Sequence, residues 1–163
     1  MVDSALRRPR VLGPDDGDAL WFLGSLVTVK VAGSDTSGRL TVVEFVNPPG
    51  FAPPLHRHRV EDEMFAVLEG TATFFCDGER LAAGPGDFVV LPAGLAHSFL
   101  VGPDAALRTL QITTPGGFEG FAAAVGTPAV ERRLPDPGPI DPAALAHAAD
   151  LHGVDILGPP PTG

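Results

Sequence analysis

The stretch Gly50–Gly70, GFAPPLHRHRVEDEMFAVLEG, constrains this chain more than any other. His56 and His58 stand two residues apart, so on an extended strand both rings point to the same side. Glu63 follows after a short acidic turn, and Gly70 closes the segment. The spacing reads G-x5-H-x-H-x4-E-x6-G. Two imidazoles and one carboxylate converging on one face form a ligand set suited to Fe(II), Mn(II), Ni(II), Cu(II) or Co(II). A second stretch, GDFVVLPAGLAHSFLV from Gly86 to Val101, supplies His97 in the pattern G-x5-P-x-G-x2-H.

Together the two stretches resemble the paired signature motifs of the cupin superfamily. Gly50, His56, His58, Glu63 and Gly70 match every position of the first. Gly86, Pro92, Gly94 and His97 match the second, with Val101 where the family often has Asn. That Asn is not a metal ligand, so the departure leaves the ligand set whole. The resemblance covers about 40–113 and implies an all-β fold, a double-stranded β-helix or jelly-roll barrel. It further implies one divalent transition metal (Fe, Mn, Ni, Co, Cu or Zn) held by His56, His58, Glu63 and His97.

Composition narrows the partners. With 163 residues the chain is long enough for one domain with a sizeable core. A formal net charge of −9 repels phosphate backbones, and no Tyr with one Trp leaves no stacking platform for single strands, so nucleic acid is not an expected partner. A single cysteine rules out an internal disulfide, and Cys76 reads as a small core hydrophobe. The start, MVDSALRRPRVLG, has basic residues without an apolar run behind them, which does not read as a secretory signal. No apolar run approaches membrane-spanning length. The expectation is a cytoplasmic protein without a membrane segment.

The 20 Gly and 18 Pro fall between short apolar runs, the pattern of many short strands joined by tight turns. We expect one domain with an N-terminal arm over 1–20, irregular from Met1 to Asp18, a barrel over 21–114 and a helical tail over 115–163. Trp21-Phe22-Leu23 is the first apolar cluster. Leu26–Val31 alternates as a half-buried strand with Val27, Val29 and Val31 on one face. Strands are also expected at Leu40–Val46, Met64–Leu68, Phe88–Leu91 and Arg108–Thr113. Asp77-Gly78 predicts a hairpin between Thr71–Cys76 and Glu79–Ala83. Phe118–Val125 has helical spacing, and a second helix should start at Asp141-Pro142 and stop at Gly153.

Other candidates have structural readings. His147 and His152 belong to the second helix, His152 near its end where a partly positive ring suits the dipole. Glu61 and Asp62 are expected to be solvated, because the x4 spacing selects Glu63. Arg57 and Arg59 alternate with the histidines and should face away from the metal. Phe65, Phe74, Phe99, Phe118 and Phe121 should be core, with a subset lining an apolar pocket above the metal.

The cupin resemblance does not choose a reaction: the superfamily holds dioxygenases, isomerases, cyclases, lyases and plain binding proteins. The segment TPGGFEGFAAAVGTPA (Thr114–Ala129) resembles the tail of bacterial single-domain cupins related to quercetin 2,3-dioxygenase. This implies a small-molecule substrate with a flavonol-like or other enol or hydroxylated aromatic head, O2 as co-substrate, and Glu63 as both ligand and general base. The alternatives are a non-redox cupin using its metal as a Lewis acid on a natural product, or a ligand-binding cupin without turnover. A homodimer is expected, with Arg10–Leu12 and the Trp21 cluster offering apolar surface and a strand edge.

Overall fold

The structure, a computed structural model, describes residues 8–162. Twelve strands form two antiparallel sheets. In chain order they are β1 (Asp18–Phe22), β2 (Ser25–Val31), β3 (Thr41–Asn47), β4 (Leu55–His58), β5 (Asp62–Glu69) and β6 (Ala72–Cys76). After these come β7 (Glu79–Ala83), β8 (Phe88–Leu91), β9 (His97–Val101) and β10 (Leu107–Thr114). Helix α1 (Phe118–Val125), β11 (Thr127–Pro128), helix α2 (Pro142–Leu151) and β12 (Val154–Gly158) complete the chain. One sheet runs β11-β1-β2-β3-β10-β5-β8 and the other β12-β4-β9-β6-β7. This is an all-β barrel of two antiparallel sheets with short helices, the architecture that the motif resemblance implies.

Strict alternation builds the inner wall. Thr41, Val43, Phe45 and Asn47 are the buried positions of β3, and Leu107, Thr109, Gln111 and Thr113 those of β10. On β5 the same period buries Glu63, Phe65 and Val67. Between the sheets, Phe65, Phe74 and Phe99 pack with ring centroids 5.3 to 5.8 Å apart. A second apolar cluster joins Phe22, Phe45, Phe118 and Phe121 to Leu145 of α2 and Val154 of β12. Cys76 is buried in the first cluster, as a core residue should be.

Turn chemistry agrees with the sequence reading. Asp77 and Gly78 both have positive φ, 49° and 84°, and join β6 to β7 as a two-residue hairpin loop. Asp141 caps α2 by accepting from the Ala143 and Ala144 N–H groups, with Pro142 at the first helical position.

β1 begins at Asp18, the residue at which the irregular arm was expected to end, and pairs with β2 from there on; Met1–Arg7 lie outside the described residues. Three expectations need correction. The register of β2 on β3 shifts between Val29 and Val31, a bulge, so the alternation is not continuous. Lys30, at the bulge, donates through Nζ to the carbonyls of Gly13, Pro14 and Asp16 and ties the arm down. The strand edge offered for dimerisation is occupied within the chain: β11 pairs with β1 at Leu20 and Trp21, the Trp21 indole donates to the Arg133 carbonyl, and Phe22 is buried. Finally, the tail is not only helical. After α2 the chain adds β12 alongside β4, the strand that carries His56 and His58.

Among the described residues no helix is long and apolar enough to cross a membrane.

Gly70 illustrates how tightly the barrel is closed. Its φ is +77°, and a Cβ built there would lie 2.3 Å from the Ala106 carbonyl oxygen. A side chain must therefore both adopt a left-handed conformation and displace backbone. Gly70→Ala is expected to destabilise the protein by about 2 kcal/mol or more, read as a lowered midpoint in chemical denaturation. A midpoint equal to the parent's contradicts this.

Candidate metal centre

Strands β4, β5 and β9 bring the site together. His56 pairs in register with His97 across β4 and β9, and the alternation of β5 turns Glu63 inward beside them. One ligand atom from each of His56, His58, Glu63 and His97 lies within 4.8 Å of the other three. His58, Glu63 and His97 are buried and His56 is half-buried. His58 Nε2 is 3.6 Å from Glu63 Oε1, and His97 Nε2 is 3.0 Å from Glu63 Oε2.

Each imidazole is held by its outer nitrogen. His56 Nδ1 is 2.8 Å from the Pro54 carbonyl, and His97 Nδ1 is 3.0 Å from the Leu95 carbonyl. His58 Nδ1 is 2.7 Å from Glu61 Oε2. Acceptors at all three Nδ1 positions place the proton there, which leaves the Nε2 lone pairs as the inward donors. Three neutral imidazole nitrogens and one carboxylate oxygen suit a divalent transition metal. The residues present fit such an ion.

Glu61 is therefore not solvated, contrary to the sequence reading. It is buried and carries the acceptor that orients His58. Asp62 is exposed as expected, and accepts from the Ala93 N–H. Arg57 and Arg59 point away from the centre, both bonding the Asp155 carboxylate on β12. Sequence reasoning missed Gln111, whose amide donates to Glu63 Oε1 at 2.6 Å. A signal existed: within LRTLQITT, Gln111 shares the inward face with Leu107 and Thr109, and a long polar side chain aimed at a core needs a partner.

Charge is tightly coupled here. Burial alone would raise the Glu63 carboxyl, but the adjacent His58 and His97 rings hold it down to about 2. Burial would lower His58, yet the Glu63 and Glu61 carboxylates leave it raised above its ordinary 6.5. His56 is pushed down to about 4, by burial first and then by the neighbouring His97. A neutral, deprotonated His56 is ready for a cation.

Above the donors lies a small apolar chamber of about 60 Å³. His56, His58 and Glu63 form its floor, and Phe65, Phe99, Phe118 and Phe121 are among its walls. Phe74, expected as a wall candidate, is not one; it is fully buried beneath Phe65 and Phe99. Phe22, Phe45 and Phe51 line the chamber without having been singled out from the sequence. Asn47 and Gln111 are its polar wall residues besides the donors.

Residues 43–113 match the cupin domain family. The chain belongs to the cupin superfamily. It is 30% identical over 149 residues to quercetin 2,3-dioxygenase of Bacillus subtilis (strain 168), covering 91% of this chain and 43% of that protein. It is 42% identical over 72 residues to acireductone dioxygenase of Rhodopseudomonas palustris (strain TIE-1), 42% of each chain. The cupin chain thus spans less than half the length of these curated relatives. Among solved structures, a predicted oxalate decarboxylase of Thermotoga maritima superposes with a TM-score of 0.60 at 18% identity, over 65% of this chain and 99% of that one.

Two outcomes are expected of this centre. His58→Ala and His97→Ala should each lose most bound metal and the thermal stabilisation that metal confers. That stabilisation is about 2.7 kcal/mol when free metal is 100 times its dissociation constant. Full metal content in the double variant, measured by elemental analysis, would refute the site.

The second outcome concerns pH. Glu63, depressed below its ordinary 4.5, contributes stability to the metal-free protein above that value and loses it as pH falls toward 2. His58, raised above 6.5, contributes below that value and loses it as pH rises through its raised value. The metal-free protein should gain most from this pair between about 4.5 and 6.5. A cation must displace the His58 proton, so the rise in Tm on adding metal should grow as pH increases from about 6 to 8. A rise that shrinks over that range contradicts the assignment.

Proposed function

We propose that this cupin is a metal-dependent dioxygenase of the quercetinase type, acting on a flavonol or another enol or hydroxylated aromatic small molecule. The observation that carries the reading is the set of four inward donors with an apolar chamber lined by three of them, His56, His58 and Glu63. Similarity to quercetin 2,3-dioxygenase over 91% of the chain supports the same class.

When bound, a divalent cation supplies Lewis-acid polarisation and open positions for a chelating oxygen substrate and O2. The chain's own residues do the rest. Pro54, Glu61 and Leu95 keep the three rings in place through Nδ1. The phenylalanine walls exclude water and press a planar substrate into one orientation. Glu63 is the group placed to take the hydroxyl proton of the substrate. It is anionic throughout the physiological range; Gln111 donates to its Oε1, and its Oε2 lies 3.0 Å from His97 Nε2.

The reading is tested first by oxygen uptake. Metal-loaded protein should consume O2 with some member of a panel of flavonols and dihydroxylated aromatics. Conversion of a panel member without O2 uptake would instead indicate a non-redox isomerase, cyclase or lyase.

Glu63→Gln sharpens the test. Gln keeps the size and one oxygen donor but removes the charge, so metal is weakened yet partly retained. General-base catalysis contributes about 10²–10⁴-fold, and turnover per bound metal should fall by at least the lower figure while substrate binding falls less. Metal-corrected activity equal to the parent's would leave Glu63 as a ligand alone.

A further inference from the structure

The chamber above the donors is too small for the substrates proposed for it. At about 60 Å³ it holds a few water molecules, whereas sites for drug-sized ligands run to roughly 300–1,000 Å³. A second apolar space of about 450 Å³ lies against it on the outer side. The two share a wall of six residues: Leu23, Phe51, Pro53, Pro54, Leu145 and Ile156. The outer groove continues over Ile140, Pro142, Pro159 and Pro160, where nothing charged intrudes.

The shared wall is made of side chains from separate elements. Leu145 comes from α2, Ile156 from β12 and Leu23 from the turn between β1 and β2. Leu23 is held at φ 51°, a left-handed conformation that residues with a side chain rarely adopt. Gly24 follows at φ 86°, so the pair forms a two-residue hairpin loop that carries the leucine at the neck. Ile140, on the far rim, is 50% exposed.

We infer that the outer groove is a substrate-tail subsite, joined to the metal chamber through a neck at Leu23 and Leu145. The ligand class is a chelating diol or enol head with an apolar extension of several carbons or a second ring. The head fills the chamber on the donor side. The extension passes the neck by side-chain rotation of Leu23 and Leu145 and lies between Ile140 and the Pro159-Pro160 segment. This inference rests on the reading that the metal centre accepts an oxygen-chelating head, but it does not require oxygen chemistry.

The test separates the two. Co(II)-loaded protein would be titrated under nitrogen with catechol and with 4-ethyl-, 4-butyl- and 4-hexylcatechol, following the visible d–d bands. Affinity should rise roughly two- to fourfold for each methylene buried, the fold-change matching up to ~0.8 kcal/mol. Ile140→Asp sits on the exposed rim, outside the chamber wall, and should erase most of the hexyl-to-catechol affinity ratio while the bands still respond to catechol. Leu23→Trp, which narrows the neck, should lower the same ratio by tenfold or more. Affinity independent of tail length in the parent protein overturns the subsite, as does an unchanged ratio in both variants. Neither result touches the dioxygenase reading, which fails only if O2 uptake is absent.

Discussion

A carboxylate buried inside an apolar barrel is the constraint that the rest of this structure answers. Glu63 is 4% exposed, with Phe65 next on the same face of its strand. An isolated anion there would take up a proton rather than persist. It persists because both of its oxygens are engaged, Oε1 by the Gln111 amide and Oε2 by the His97 ring, with His58 close by. The depressed carboxyl and raised His58 are one fact seen from two sides. An ion pair in this setting breaks even at best as a source of stability. Its retention in the core is better explained by what it holds ready, a set of donors that a dication completes.

Holding that set depends on strand β4, which is short and starts after Pro53 and Pro54. Its ladder contact with β9 is limited to His56 and His97. On its other edge lies β12, paired from Val154 to Gly158. Asp155 adds ion pairs to both Arg57 and Arg59, and Arg59 also reaches Asp150 at the end of α2. These pairs are partly exposed and individually weak. Together with the β12 ladder they clamp the outward face of the strand whose inward face carries two ligands. Alternation of Arg and His along HRHR thus has a physical sense: one face binds the cation and the other binds the clamp.

Much of this was legible in the sequence because the signals were local. Short apolar runs between turn residues located β3, β5 and β10, Asp77-Gly78 located a hairpin, and Asp141-Pro142 located a helix start. His56 and His58 were legible as a pair because their spacing on a strand specifies a common face, and Glu63 and His97 joined them through the resemblance to the cupin motifs. What was not legible depended on contacts between distant residues. VDILG is short, lies between Gly153 and a proline run, and becomes a strand only because β4 offers an edge. Glu61 looked like one of three acidic residues in a turn; nothing local says that the turn folds back onto His58 Nδ1. Phe74 and Phe99 alternate identically in the sequence, yet one is sealed in the core and the other faces the chamber.

The division between what the family motifs cover and what they leave open follows the same line. Residues 43–113 contain all four donors and the wall strands β5 and β10. The upper walls come from outside that range: Phe22 and Leu23 from the first hairpin, Phe118 and Phe121 from α1, Leu145 from α2 and Ile156 from β12. A barrel of this kind can therefore keep its metal chemistry while its mouth is rebuilt by changes in the two flanking segments. The donors fix where a dication would be held, beside the chamber that His56, His58 and Glu63 line. The boundary between the small chamber and the larger groove is shared: Leu23, Leu145 and Ile156 come from the flanks, and Phe51, Pro53 and Pro54 from within the matched range. The shape of the groove thus depends on how α2 and β12 pack against the proline segment that leads into β4, a contact between distant residues that no single motif encodes.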